Sequence, residues 1–183
     1  GSESWYLIVG GMGLATLLLG AWCAIFQHDL KGLLAYSTIS HLGLIVLLLG
    51  LGSPLACIAA IFHTVNHATF KASLFMAAGI IDHETGTREI PFLQNLRRHL
   101  PITFVLALLA TLSMAGLPPL GGFISKELFY EAMLHQGPAF ITVAVLGSAS
   151  AEADGFVHWH AIASATARSD DESVNRMPPT VER

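Results

Sequence analysis

Residues 55–81 read LACIAAIFHTVNHATFKASLFMAAGII, and this stretch decides what kind of protein the chain is. At about 1.5 Å of rise per residue, a helix of this length crosses a hydrocarbon layer about 30 Å thick. Yet it carries His63, Asn66, His67 and Lys71. His63, His67 and Lys71 fall at i, i+4 and i+8, which lines them up on one helix face over about 12 Å. An ionisable side chain at membrane depth costs roughly 2.5–3.5 kcal/mol on insertion scales. Such a row is expected to face protein or water. Histidine titrates near neutral pH and a desolvated lysine sheds its charge readily, so the row has the chemistry of a proton path.

The rest of the chain agrees with a membrane setting. Of 183 residues, 53% are apolar and 12% charged, about half the charged share of an ordinary globular domain, and the mean hydropathy is +0.60. Residues 1–150 carry 6 basic and 7 acidic side chains; residues 151–183 carry 3 and 6 and account for most of the net charge of −4. With no basic face, nucleic acid is excluded as a partner, and the apolar content excludes a disordered body. Cys23 and Cys57 both sit in apolar runs and read as packing residues. The first apolar run lacks the basic leader and small-residue cleavage site of a signal peptide. The chain starts almost inside that run, which suggests a piece of a longer protein.

The expected fold is all-α: a polytopic transmembrane helix bundle of about four spans, at 5–26, 30–51, 55–81 and 101–135. The last is broken at 115–122, where Gly116, Pro118, Pro119, Gly121 and Gly122 cannot continue an ordinary helix. Residues 138–150 are apolar but too short to cross. Within the connector at 82–100, residues 90–100 carry Phe92, Leu93 and Leu96 at helical spacing and are expected to form a short amphipathic interfacial helix. The connectors at 27–31 and 82–100 hold Lys31, Arg88, Arg97 and Arg98, against no basic residue at 50–54. The excess of positive charge places them in the cytoplasm.

Other polar groups have two readings each. Lys126 directly follows the break, and exposed helix ends in a membrane must meet water, ions or protein; a kink with an adjacent intramembrane lysine is the discontinuous-helix pattern of ion transporters. Lys31 is close enough to the interface for snorkelling to explain it. His41 lies ten residues deeper and serves a cross-helix hydrogen bond equally well. Asp82, His83, Glu84 and Arg88 form a charge cluster at a helix end. His63 and His67 have the H-x3-H spacing of zinc ligands, but Thr64 stands where a zinc protease has glutamate and no third ligand is evident, so neither metal nor cofactor is expected. His158 and His160 read as incidental rather than as ligands.

These motifs together resemble one family. HDLKGLLAYSTISHLG (28–43), AAIFHTVNHATFKASLFMAAG (59–79) and SMAGLPPLGGFISKE (113–127) are similar to the proton-translocating antiporter-type membrane subunits. These include the large subunits of the complex I membrane arm and subunits of the Mrp-type multisubunit Na+/H+ antiporter. GIIDHETGTREI (79–90) resembles the A subunit of the Mrp type most. The resemblance covers about residues 5–150. It implies cation/proton exchange, with Na+ and H+ as transported ions, in the cell membrane, with lipid and further antiporter subunits as partners. It gives Lys31, His67 and Lys71 places on a central polar axis, Lys126 the hand-over to the exit side, and His63 and His41 less defined places beside them. It also implies that the chain holds most of the second of two inverted repeats. A proton-pumping subunit of NADH:quinone oxidoreductase would use the same residues, and an inert truncated fragment of either is a further alternative. After Leu146 the family pattern stops; residues 151–183 are Ser/Ala/Asp-rich, as after a frameshift or truncation, and are expected to be disordered.

Overall fold

A computed structural model describes residues 3–93 and 96–136, together with 142–143, 145–147, 149, 156–158, 160 and 162–163. Among them, five helices make the body: α1 (Glu3–Ile25), α2 (Leu30–Leu51), α3 (Pro54–Thr85), α4 (Pro101–Ala115) and α5 (Gly121–Leu134). A π-helical turn occupies Tyr6–Gly10 of α1. By length and apolarity α1 and α2 qualify as membrane-crossing helices.

Local chemistry sets the helix ends. The Asp29 carboxylate accepts from the Lys31 N–H at 2.9 Å and caps α2. Gly52 ends that helix at φ 65°, in the left-handed region that glycine tolerates. Ser53 caps α3 through the Ala56 N–H at 3.2 Å, with Pro54 in the first turn. The helix runs past the expected end at residue 81 to Thr85.

α1 and α2 pair along small residues. A methyl group on Gly43 would meet backbone atoms of Leu17, one on Gly20 the backbone of Ser40, and one on Gly50 the backbone of Gly10. This is the small-residue packing of helices in lipid, where close backbone approach and van der Waals contact replace a hydrophobic drive. The Ser40 hydroxyl donates to the Leu17 carbonyl across the seam at 3.0 Å. The long α3 is the central element. Its first half packs with the end of α2 and with α5, through Ala56, Ala59, Ala60, Leu48 and Met133, in a cluster that also holds Leu17 of α1. Its second half packs with the start of α2 and with α4, through Phe70, Leu74, Ala78, Leu34 and Met114.

The connectors meet at one end of the bundle. Leu30 N–H donates to the Arg88 carbonyl and Ile90 N–H to the His28 carbonyl, both at 2.9 Å. The Arg88 guanidinium lies 2.9 Å from Asp29. The expected interfacial helix over 90–100 is not what forms among the described residues. A 3-10 turn at Ile90–Phe92 and one helical turn at Leu96–His99 fold inward instead. Leu93 and Leu96 are buried in the core with Leu30 and Ile81, because burial against protein satisfies them as well as an interface would.

Most of the 138–150 and 151–183 stretches lies outside the described residues, and so does most of the expected disorder. The described residues at 156–158, 160 and 162–163 are helical. His158 is buried, and Ile162 packs in the same core cluster as Leu34 and Met114.

Candidate functional site

The helical spacing read from residues 63–71 is realised. His63, His67 and Lys71 all lie on the inward face of α3 and are buried, at 6%, 7% and 4% exposure. What they face comes from other elements. His41, 3% exposed on α2, places its Nδ1 3.1 Å from Nε2 of His63. The two rings stack with centroids 5.2 Å apart, and His67 closes a triangle at 5.1 Å from His41 and 6.2 Å from His63. Phe70 seals it, edge-on to His41 and His67. The far nitrogen of His63, Nδ1, meets the Ser125 hydroxyl of α5 at 2.6 Å. His63 thus sits between two partners, one at each ring nitrogen. An imidazole so placed takes a proton at one nitrogen and releases one from the other.

Lys71 closes the series on one side. Its ammonium donates to the Ser37 hydroxyl, in a short contact, and to the Leu34 carbonyl at 3.3 Å. Ser37 and His41 are one turn apart on α2, so that helix carries polar groups opposite both Lys71 and the histidines.

Lys126 closes it on the other. α4 ends at Gly116, φ 79°, in a Schellman arrangement: Gly116 N–H donates to the Ser113 carbonyl and Leu117 N–H to the Leu112 carbonyl, both at 3.1 Å. Leu117, a cis Pro118–Pro119 bond and Leu120 then carry the chain into α5. The end of α4 leaves the Ala115 carbonyl to accept the Lys126 ammonium at 2.7 Å. A cation is favoured there by the negative end of the helix dipole. The fit is close: a methyl group on Gly116 would strike the Lys126 side chain, and one on Gly122 the Ser113 carbonyl. Asn66 of α3 donates to the Gly121 carbonyl at 3.3 Å and ties the break to the histidine helix. A cavity of about 20 Å³ is lined by His41, His63, Ser125 and Lys126, which is room for about one water molecule.

Lys31 stands apart from this line. Its ammonium is 2.5 Å from the Asp82 carboxylate at the connector end of the bundle, both side chains about one-third exposed. Asp82 is eleven residues beyond Lys71 on α3, about 16 Å along the axis. The hydrogen bond from Lys31 holds the Asp82 carboxyl below the usual carboxylate range, with the charges of Lys31 and Arg88 adding to the effect. Lys71, His67, His63 and Lys126 are therefore brought into one buried zone, and Lys31 into an ion pair at its edge. His41 was visible in sequence without a partner. Ser37 and Ser125 were not singled out, although each lies within one turn of a residue that was.

Residues 1–150 match the family described as NADH:quinone oxidoreductase/Mrp antiporter, TM. The chain is 69% identical over 130 residues to a probable A/B subunit of a K(+)/H(+) antiporter from Rhizobium meliloti, covering 71% of this chain and 13% of that protein. It is 53% identical over 148 residues to the A subunit of the Na(+)/H(+) antiporter from Alkalihalophilus pseudofirmus, covering 73% of this chain and 18% of that protein. The chain thus spans less than a fifth of the length of these relatives. Among solved structures, it is similar to a chain of the Mrp complex from Dietzia sp. (45% identity, TM-score 0.68, 89% of this chain and 17% of that one). It is also similar to a chain of respiratory complex I from Thermus thermophilus (28% identity, TM-score 0.81, 91% and 35%).

Proposed function

Because the chain belongs to the NADH:quinone oxidoreductase/Mrp antiporter transmembrane family, and so to a multi-pass membrane protein, we propose that it is a proton-conducting part of a monovalent cation/proton antiporter. One observation carries the reading: two buried or half-buried lysines flank a cluster in which Ser125, His63 and His41 are hydrogen-bonded in turn, His67 lies against both histidine rings and Ser37 accepts from Lys71. Protons pass between Lys126 and Lys71 through the water-sized cavity, Ser125, His63, His41, His67 and Ser37. Each proton that arrives at one imidazole nitrogen leaves from the other, so no charge accumulates on a ring. The lysines store the proton at the two ends. Lys126 is steadied by the carbonyl end of α4 and Lys71 by Ser37 and the Leu34 carbonyl. The broken helix supplies that carbonyl end inside the membrane, which an unbroken helix does not expose.

The exchanged cation is sodium in the first reading, in keeping with the relatives that are A subunits of Na(+)/H(+) antiporters. Potassium is a second reading, favoured by the 69% identical relative named for probable K(+)/H(+) exchange. The four spans, the cell-membrane location, the cytoplasmic side of the two connectors, and further antiporter subunits as partners belong to the same proposal. The meeting of the connectors at one end of the bundle supports placing them on one side. The test is a chimera in which this segment replaces its counterpart in a full-length A subunit of a Na(+)/H(+) antiporter. In membrane vesicles the chimera is expected to exchange Na+ or K+ for H+, and Lys126→Ala to abolish exchange. Undiminished exchange in Lys126→Ala would refute the proposed role.

A further inference from the structure

From sequence, His63 and His67 lacked a third metal ligand. The fold brings a third imidazole, that of His41, beside them. One nitrogen from each of His41, His63 and His67 lies within 4.8 Å of the others, and all three residues are buried. His41 Nδ1 and His63 Nε2 are 3.1 Å apart. That is close to the separation of about 3.3 Å between ligands on a tetrahedral zinc ion with bonds of about 2.0 Å. His41 Nε2 and His67 Nδ1 are buried without a hydrogen-bond partner among the described residues. The Ser125 hydroxyl on Nδ1 of His63 is the outer-shell contact that orients a ligating imidazole and fixes which nitrogen it offers. The cavity against His41 and His63 has room for a water as fourth ligand.

We propose that His41, His63 and His67 form a binding site for a divalent cation of the zinc class. A cation held there occupies the nitrogens that relay protons. All three ligands are neutral imidazoles, so the bound cation keeps its charge and repels a proton on Lys71 or Lys126. Occupancy therefore blocks transport, a consequence that rests on the function proposed above, whereas the binding does not.

Binding is tested with the 183-residue chain purified in detergent and titrated with Co2+, whose visible spectrum reports a tetrahedral nitrogen site, and with Zn2+ in competition. One Co2+ per chain with a tetrahedral spectrum is expected, displaced by Zn2+. His41→Gln and His67→Gln are each expected to lose that equivalent, whereas replacing His28, outside the buried zone, leaves it in place. Ser125→Ala is expected to weaken it by roughly ten- to a hundredfold, the effect typical of an outer-shell partner, in a variant that keeps all three ligands and so guards against misfolding. Helicity by circular dichroism is followed for each variant. Absence of a tetrahedral spectrum in the unsubstituted chain, or an unchanged equivalent in well-folded His41→Gln, would overturn the site. Neither result bears on Lys126 and transport, which the chimera measures separately.

Discussion

At the scale of single residues, the division of labour follows from what each side chain can do without leaving the helix packing. His63 has a partner at both ring nitrogens, His41 on one side and Ser125 on the other, so it can pass a proton without turning. Ser125→Ala removes one link and is expected to slow proton flux roughly fivefold, the equivalent of a hydrogen bond worth about 1 kcal/mol. Ser125→Thr, which keeps the hydroxyl, is expected to recover most of it; vesicle pH-dye assays on the chimera read both. The reading of residues 55–81 reached His63, His67 and Lys71 because a single helix fixes their common face. The meeting of His63 with His41 and Ser125, 22 and 62 residues away along the chain, was not legible. No periodicity within one element reports a contact between elements. The H-x3-H spacing of His63 and His67 is silent for the same reason about His41, which comes beside them from a different helix.

At the scale of elements, the helix seams decide what the site can tolerate. The α1–α2 pair is held by backbone approach at Gly43, Gly20 and Gly50, so Gly43→Leu is expected to force the helices apart. The expected loss is about 1–3 kcal/mol, the range for overpacking a close contact, read as a lowered melting temperature in detergent with the far-UV helical signal retained at low temperature. The break between α4 and α5 was legible from its prolines and glycines, and the apolar helices over 5–26 and 30–51 were legible from composition, because hydropathy reports a solvent of lipid directly. The connector at 82–100 was not. Its apolar spacing suited an interface and a protein core equally, and the core was chosen through contacts with Leu30 and Ile81.

At the scale of the whole molecule, the Lys31–Asp82 and Asp29–Arg88 pairs fasten α2 to the end of α3 and the connector beyond it. Since Asp82 titrates below its unfolded range, its pair contributes stability above the ordinary carboxylate pKa of about 3.9 and loses it as pH falls through the lower folded value. The melting temperature of Asp82→Asn is therefore expected to lie slightly below that of the unsubstituted chain at neutral pH, as suits a partly exposed pair. The two are expected to converge on acidification below about pH 3.9. A gap that persists in acid would point to packing rather than charge. The segment spans less than a fifth of its sequence relatives. Its α3, with apolar faces toward both core clusters and polar groups toward α2 and α5, is the element around which the buried line is organised.

The most direct test of proton passage along that line is H+ flux through the chimera in proteoliposomes, followed with an internal pH dye, with Lys71 and Lys126 each replaced by alanine. Flux falling to the protein-free background in both variants, with assembly and helicity preserved, is the predicted result. Flux equal to that of the unsubstituted chimera in either variant would contradict it.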